Sequence, residues 1–213
     1  MNKVRTVWAT PEGEDLIAYM ARVSAPANQD NKETAPKLIK YLIKHKHWSP
    51  LEMVNICMEI ETTRDIARQI LRHRSFSFQE FSQRYAEVDN YALSEPRLQD
   101  VKNRQNSLET DDLGLMYWWE GAQKRVLDDA QFMYESALKK GIAKEVARKL
   151  LPEGLTMSKM YMNGTLRSWL HYVDIRCDKA TQKEHREVAE KCRDELAKLF
   201  PNTMEAFNAN RSD

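Results

Sequence analysis

Glycine is scarce in this chain, with six in 213 residues. None forms the Gly-rich strand-to-helix turn whose backbone N–H groups cradle a pyrophosphate, which excludes a Rossmann-type dinucleotide site. Cysteine is scarcer still: Cys57, Cys177 and Cys192 are the whole set of three. An odd, widely spaced set argues against a disulfide framework and fits a reducing, cytoplasmic compartment. No Cys-x-x-Cys pair exists, and His45 and His47 have no His-Glu-x-x-His or carboxylate cluster beside them, so no metal site is expected. Charge of one sign is missing as well: 33 Lys and Arg stand against 32 Asp and Glu, a net +1. A whole-molecule attraction to nucleic acid or an anionic membrane is not expected, which leaves only a local basic patch. No apolar run reaches the roughly 18 residues of a membrane span, and MNKVRTVWATPEGEDL has neither the apolar stretch nor the cleavage site of a signal peptide.

What is present is an ordinary globular composition, 42% hydrophobic and 31% charged. There is no repeat, no low-complexity segment and no compositional shift that marks a linker, so a single domain is expected over residues 1–213. Lys3–Ala9 reads as a short strand. Residues 12–23 read as a helix with Leu16, Ile17, Met20 and Val23 at helical spacing, and residues 34–46 as a second with Leu38, Ile39, Leu42 and Ile43 on one face, ended by Trp48-Ser49-Pro50. Residues 53–62 alternate: Val54, Ile56, Met58 and Ile60 against Asn55, Cys57, Glu59 and Glu61, the pattern of a half-exposed antiparallel strand. Thr63 is placed to cap a helix over residues 63–72, and residues 85–106 read as a long loop. A long helix over 113–140, broken near Gly121 and stopped by Gly141, is followed by a helix over 143–151, a strand over 155–162, and helices over 165–173 and 179–199. Helices dominate without a βαβ rhythm, so the expected class is α+β, helix-rich, with a small, mostly antiparallel sheet.

The stretch RHRSFSFQEFSQRY, residues 72–85, combines three arginines, a histidine and a glutamate with three phenylalanines and a tyrosine. Arg64, Arg68 and Arg72 precede and enter it at four-residue spacing, sharing a helical face. Arg72, His73 and Arg74 are consecutive and cannot all face water if Phe76, Phe78 and Phe81 face a core. A buried arginine requires a partner: Glu80, or an anionic ligand that the planar guanidinium grips in parallel. Three readings are open on these residues: a structural ion-pair cluster, a nucleic-acid patch with stacking aromatics, or an enzyme pocket for a phosphorylated small molecule.

Arg72-His73-Arg74, seven residues, then Ser82 resembles the RHR-x7-S signature of flavin-dependent thymidylate synthases. Weaker similarity extends over "ARVS" at 21–24, "HWSPLE" at 47–52, "EVARKLLP" at 145–152 and "GTLRSWLHYVDIRCDKATQKE" at 164–184. The resemblance implies a homotetramer with active sites where subunits meet, FAD as cofactor, NADPH as reductant and methylenetetrahydrofolate as carbon donor. The implied reaction is reductive methylation of dUMP to dTMP, with the folate leaving as tetrahydrofolate. By the same resemblance Arg72, His73 and Arg74 contact the flavin and Arg72 also approaches the nucleotide, with Glu80 between the two. Gln69, Phe81, Ser82, Gln83, Arg84 and Arg148 hold dUMP. His47 and Ser49 reach FAD from a neighbouring subunit, Arg167 and His171 contact flavin, and Arg176 polarises the uracil. Gln79 and Met53 depart from the family pattern, which has Asn and His there.

Other candidates have blander readings. Cys57 reads as a small buried hydrophobe, and Cys177, diverging from Arg176 around the helix, is not expected to be a nucleophile. Ser82 lacks an activating histidine–carboxylate pair and is assigned to binding. Trp118-Trp119 reads as packing, and His185 as a surface residue. A nucleic-acid-binding protein using the 72–84 patch, and a flavoenzyme for another pyrimidine nucleotide, are the alternatives.

Overall fold

The computed structural model describes residues 2–210. Met1 and residues 211–213 of the expected 1–213 domain lie outside the described residues. Four strands, β1 (Lys3–Ala9), β2 (Asn55–Thr63), β3 (Ser77–Glu80) and β6 (Met157–Thr165), form one sheet in the order β1-β2-β6-β3 with every pair antiparallel. A separate ribbon pairs β4 (Arg97–Gln99) with β5 (Ser107–Glu109). The helices are α1 (Gly13–Ala21), α2 (Ala35–Lys44), α3 (Arg64–Ile70), α4 (Leu113–Lys139), α5 (Lys144–Ala147), α6 (Leu166–Arg176), α7 (Lys183–Leu199) and α8 (Pro201–Ala209). The α+β class with a small antiparallel sheet is what the sequence implied.

The alternation in β2 divides its side chains as expected. Ile56, Met58 and Ile60 join Met160 and Met162 of β6 and pack against Ile66 and Ile70 of α3, Trp169 and Leu170 of α6, and Val188 and Leu196 of α7. The expected half-exposure of the other face is corrected. β2 is a central strand, and Cys57 and Glu59 are buried too. The register sets Arg5 opposite Glu59 and Tyr161 on its other side. Arg5 donates to Glu59 through Nε and Nη2 at 2.7 and 2.8 Å, and Lys159 reaches Glu61 at 2.9 Å. Opposite charges one strand apart thus cover this face as a ladder, and the Arg5 hydrogen bond is the main cause holding the Glu59 carboxyl below its usual range.

Several boundaries shift for local reasons. α1 ends at Ala21, so Val23, expected on its apolar stripe, lies beyond the helix and is exposed; Met20, within α1, is exposed as well, while Ile17 is buried. α2 ends at Lys44, well before Pro50: Lys46 adopts a left-handed φ of 59°, and the His47 N–H turns back to the Leu42 carbonyl at 2.8 Å. α4 runs unbroken through Gly121, starts at an Asp112 side-chain cap on the Leu115 N–H, and ends where Gly141 takes a φ of +81°. The helix expected over 143–151 is a single α-turn followed by a 3₁₀ turn, Arg148–Leu150. β6 starts later than expected and runs on to Thr165, whose hydroxyl caps α6 by accepting from the Ser168 N–H. α6 continues to Arg176, and α7 begins at Lys183. The loop expected over 85–106 contains β4, and α8 and β3 were not expected.

Candidate active site

α3 leads directly into the arginine-rich stretch. Thr63 occupies its N-cap position, although the hydroxyl makes no capping bond. After Ile70 the chain turns, with the His73 N–H bonded to the Ile70 carbonyl at 3.0 Å, and Phe76 drops onto Trp169, ring centroids 4.9 Å apart and edge to face. Gly164 makes room for it: a Cβ there would lie 2.4 Å from the Phe76 ring. β3 then pairs with β6. This arrangement separates the two chemistries of the stretch. Phe76 and Phe78 pack on the core, while Arg72 and Arg74 are exposed. No carboxylate lies within ion-pair distance of either arginine among the described residues.

Glu80 does find an arginine partner, but not in the RHR triplet. Arg64 and Arg68 approach it at 3.6 and 3.1 Å, the Ser158 hydroxyl donates to it at 2.8 Å, and Arg68 also reaches Glu153 at 3.1 Å. Arg72 lies past the last turn of α3 and is not part of this cluster, which corrects the expected three-arginine face. Burial, then the neighbouring Arg68, lowers the Arg64 pKa.

The second grouping joins α3, α6 and α7. Arg176, at the end of α6, donates from Nε to Nε2 of His73 at 2.9 Å. A guanidinium only donates, so this ring nitrogen accepts and the neutral His73 carries its proton on Nδ1. Burial first, and Arg176 second, push the His73 pKa down to about 4. The ring packs edge-on against Tyr172 at 4.9 Å. His185 is fully buried, not the expected surface residue: Nε2 lies 3.2 Å from the Tyr172 hydroxyl and Nδ1 lies 3.3 Å from Oε1 of Gln69. Burial pushes its pKa down to about 3. A signal for this was available. His185, Val188, Ala189, Cys192 and Leu196 follow one another at the spacing of a single helical face, and all are buried.

A cleft of about 460 Å³ opens beside the triplet, lined by Trp48, Glu52, Ser75, Arg167, His171 and Asp174 among others. Arg167 pairs with Glu52 across it. It gathers the expected flavin residues Arg167 and His171 next to Arg74's neighbour Ser75. His47 and Ser49 flank Trp48 and are exposed. The remaining nucleotide candidates do not line this cleft. Ser82 is half-buried and accepts from the Arg84 N–H at 3.4 Å, and Arg84 pairs with Glu145 at 3.2 Å. Arg148 donates to the Glu145 carbonyl at 3.3 Å and lies close enough to Arg64 to lower its pKa. Gln83 is buried with Nε2 lacking a hydrogen-bond partner. Phe81 stands apart: it lines a different cleft of about 330 Å³, with Val88, Asn90, Met157 and Lys159.

Burial raises the thiol pKa of Cys57 and Cys192, and Cys177 packs against the core. Trp118 is 65% exposed, so of the two packing roles expected for it, core or interface, the core is excluded. Among the described residues no group of three or more His, Cys, Asp or Glu could hold a metal ion, and no helix is long and apolar enough to cross a membrane.

The model of the thymidylate synthase complementing protein family matches residues 5–202. The chain belongs to this family. Within it, the chain is 53% identical over 198 residues to a flavin-dependent thymidylate synthase of a Synechocystis species, covering 93% of this chain and 90% of the relative. It is 48% identical over 196 residues to a probable flavin-dependent thymidylate synthase of Paramecium bursaria Chlorella virus 1, covering 92% and 90%. In three dimensions it is similar to the UMP/dUMP methylase PolB of Streptomyces cacaoi bound with 5-Br dUMP, with a TM-score of 0.85 at 29% identity over 98% of this chain and 95% of that one. The same methylase bound with 5-Br UMP gives 0.87 at 27% identity. Family membership thus agrees with the RHR-x7-S resemblance and supports a flavin-linked methyltransferase over the nucleic-acid-binding alternative.

Proposed function

We propose that the chain is a flavin-dependent thymidylate synthase that converts dUMP to dTMP, with methylenetetrahydrofolate as carbon donor and NADPH as reductant. It would work as a homotetramer in the cytoplasm. The observation that carries the reading is the placement of Arg176. Its guanidinium is held by a neutral histidine, and no carboxylate lies within ion-pair distance of it among the described residues. A cation kept at full charge beside a pyrimidine stabilises the negative charge that develops on the ring carbonyl oxygens as carbon is transferred. With Nε on His73, the Nη edge remains for the ligand.

The donor set also fits FAD. Arg72 and Arg74, exposed and without carboxylates, suit a pyrophosphate, and Trp48, Arg167 and His171 line a cleft beside them. When bound, FAD would supply the reducing equivalents, so that the folate leaves as tetrahydrofolate. Arg72, His73, Arg74, Arg167 and His171 would hold it, with His47 and Ser49 contributed by a neighbouring subunit. Gln69, Ser82, Gln83, Arg84 and Arg148 would bind the nucleotide. The buried Gln83 Nε2 without a partner supports a ligand oxygen there. Glu80, held by Arg64 and Arg68, would lie between flavin and nucleotide, and Phe81 would contribute to the nucleotide site.

A second reading concerns the sugar. The solved neighbours are of a methylase described as acting on both UMP and dUMP, so UMP is a candidate substrate. The test begins with the absorbance spectrum of the purified protein, expected to be yellow and to bleach with NADPH. Assays of dUMP and UMP with methylenetetrahydrofolate follow. A colourless protein that gives no methylated product with FAD added overturns the proposal.

A further inference from the structure

We infer that Arg97 and Glu184 anchor a one-directional chain of hydrogen bonds through Gln182, Gln69, His185 and Tyr172, and that this chain fixes the Gln69 amide with its free N–H toward the nucleotide. Glu184 and His185 are then positioning residues for substrate binding. The inference rests on the dUMP reading for the identity of the ligand, but the chain itself is set by donor and acceptor chemistry.

Arg97, from β4, donates through Nη2 to Oε1 of Glu184 at 2.6 Å, and both side chains are largely buried. A guanidinium can only donate and a carboxylate can only accept. Gln182 must therefore turn its amide nitrogen to the other Glu184 oxygen, which it meets at 3.1 Å. That leaves the Gln182 carbonyl as acceptor for Nε2 of Gln69, at 2.7 Å. Gln69 then has its Oε1 on the far side, 3.3 Å from Nδ1 of His185. A carbonyl oxygen needs a donor, so His185 carries its proton on Nδ1. Its Nε2, 3.2 Å from the Tyr172 oxygen, accepts the Tyr172 O–H.

Each link determines the next, and reversing any one of them would set two donors or two acceptors face to face. Burial acts in the same sense. It keeps His185 neutral, with a pKa near 3, and keeps the Tyr172 phenol protonated. His185 is completely buried, so no water competes for its two nitrogens. The product of this order is the state of Gln69. One of its two amide hydrogens is used by Gln182, and the other is the group it offers to a ligand oxygen. Without the anchor, the amide could equally present its carbonyl, which repels phosphate and carbonyl oxygens alike.

The test uses the full-length protein and two substitutions. Glu184→Gln keeps the shape but replaces an obligate acceptor with a group that also donates. His185→Leu removes the donor to Gln69, and His185→Asn restores a donor near the Nδ1 position. Ring-nitrogen NMR of the nucleotide-free protein should show His185 as the Nδ1–H tautomer in the wild type and a mixture in Glu184→Gln. Calorimetry should show dUMP binding about fivefold weaker in Glu184→Gln and His185→Leu, the loss of one neutral hydrogen bond. KM should rise more than kcat falls, with partial recovery in His185→Asn. An Nε2–H tautomer in the wild type overturns the inference, as does a Glu184→Gln protein with unchanged tautomer and unchanged dUMP affinity. If the tautomers behave as expected but the wild type does not bind dUMP, the substrate reading fails and the hydrogen-bond chain stands. Should His185→Leu fail to fold, Glu184→Gln still decides the matter.

Discussion

Arg176 is steadied by an imidazole, and a carboxylate in its place would neutralise much of its charge. Lysine at this position would keep the charge, but its three N–H donors sit on a single nitrogen, so it cannot hold His73 and present a planar pair of N–H groups at the same time. Arg176→Lys is expected to lower kcat on the order of a hundredfold, the usual cost of removing one oriented donor from developing charge. FAD affinity, measured by flavin fluorescence titration, should change little, and a kcat near wild type would remove Arg176 from its activating role. The buried His185 and the half-buried His73 make a separate prediction. In the unfolded chain both titrate near 6.5, while in the folded chain burial holds them at about 4 for His73 and about 3 for His185. As pH falls below about 6.5 the unfolded state takes up protons that the folded state refuses, so stability drops until the folded pKa values are reached. Urea unfolding should thus show stability rising between about pH 4 and pH 6, with each histidine contributing up to about one proton to the slope. His185→Leu should reduce that slope by close to one proton relative to the wild type, and an unchanged slope would mean that His185 is already accessible to protons. The difference between the two proteins isolates His185 from the depressed carboxylates Glu59, Glu61 and Glu195, whose contributions are lost at lower pH.

At the scale of elements, what was legible depended on how far a pattern runs before tertiary contacts override it. β2 spans nine residues and its alternation named the core face correctly. It could not reveal that the polar face is covered, because Arg5 and Tyr161, which do the covering, sit on strands distant in sequence. β3 has four residues and pairs with β6, so nothing local distinguishes it from a loop. The RHR signature named candidate site residues, but the link from Arg176 to His73 joins positions 103 apart and is a product of the fold. The cluster of Glu80 with Arg64 and Arg68 has the same origin: the sequence called for an arginine partner without choosing it. Gly121 is instructive because glycine in a helical pattern suggested a break. α4 instead continues through it, exposed, with nothing within 4 Å of a built Cβ. Gly121→Ala should therefore stabilise the protein by about 0.5–1 kcal/mol, since alanine restricts the unfolded chain and favours the helix. A melting midpoint that stays level or falls would indicate that this face of α4 is occupied by something in solution. Gly164→Ala should act in the opposite sense. The added Cβ meets the Phe76 ring wedged against Trp169, and overpacking of this kind costs about 1–3 kcal/mol by denaturant unfolding.

The whole molecule leaves much apolar surface uncovered. Tyr117, Trp118, Phe132 and Met133 of α4 are between 55% and 75% exposed, and large exposed apolar side chains are a feature of interaction surfaces. A tetramer of this 25.0 kDa chain would cover such faces, and the proposed active site also calls for one, because His47 and Ser49 are assigned to a neighbour's flavin. The assignment can be separated from simple association by mixing two inactive proteins. His47→Ala damages the contribution from one subunit and Arg176→Ala the contribution from the other. If a site draws these residues from different chains, mixed tetramers contain some sites in which both are intact, and activity should reappear after the two proteins are unfolded together and refolded. If both residues act within one chain, every site in every mixed tetramer carries one lesion, and activity should stay at the level of the parents. Light scattering of the same mixtures, read beside the assay, shows whether tetramers formed. Tetramers without recovered activity would place the whole flavin site within a single subunit and return Trp48, Arg167 and His171 to one self-contained cleft.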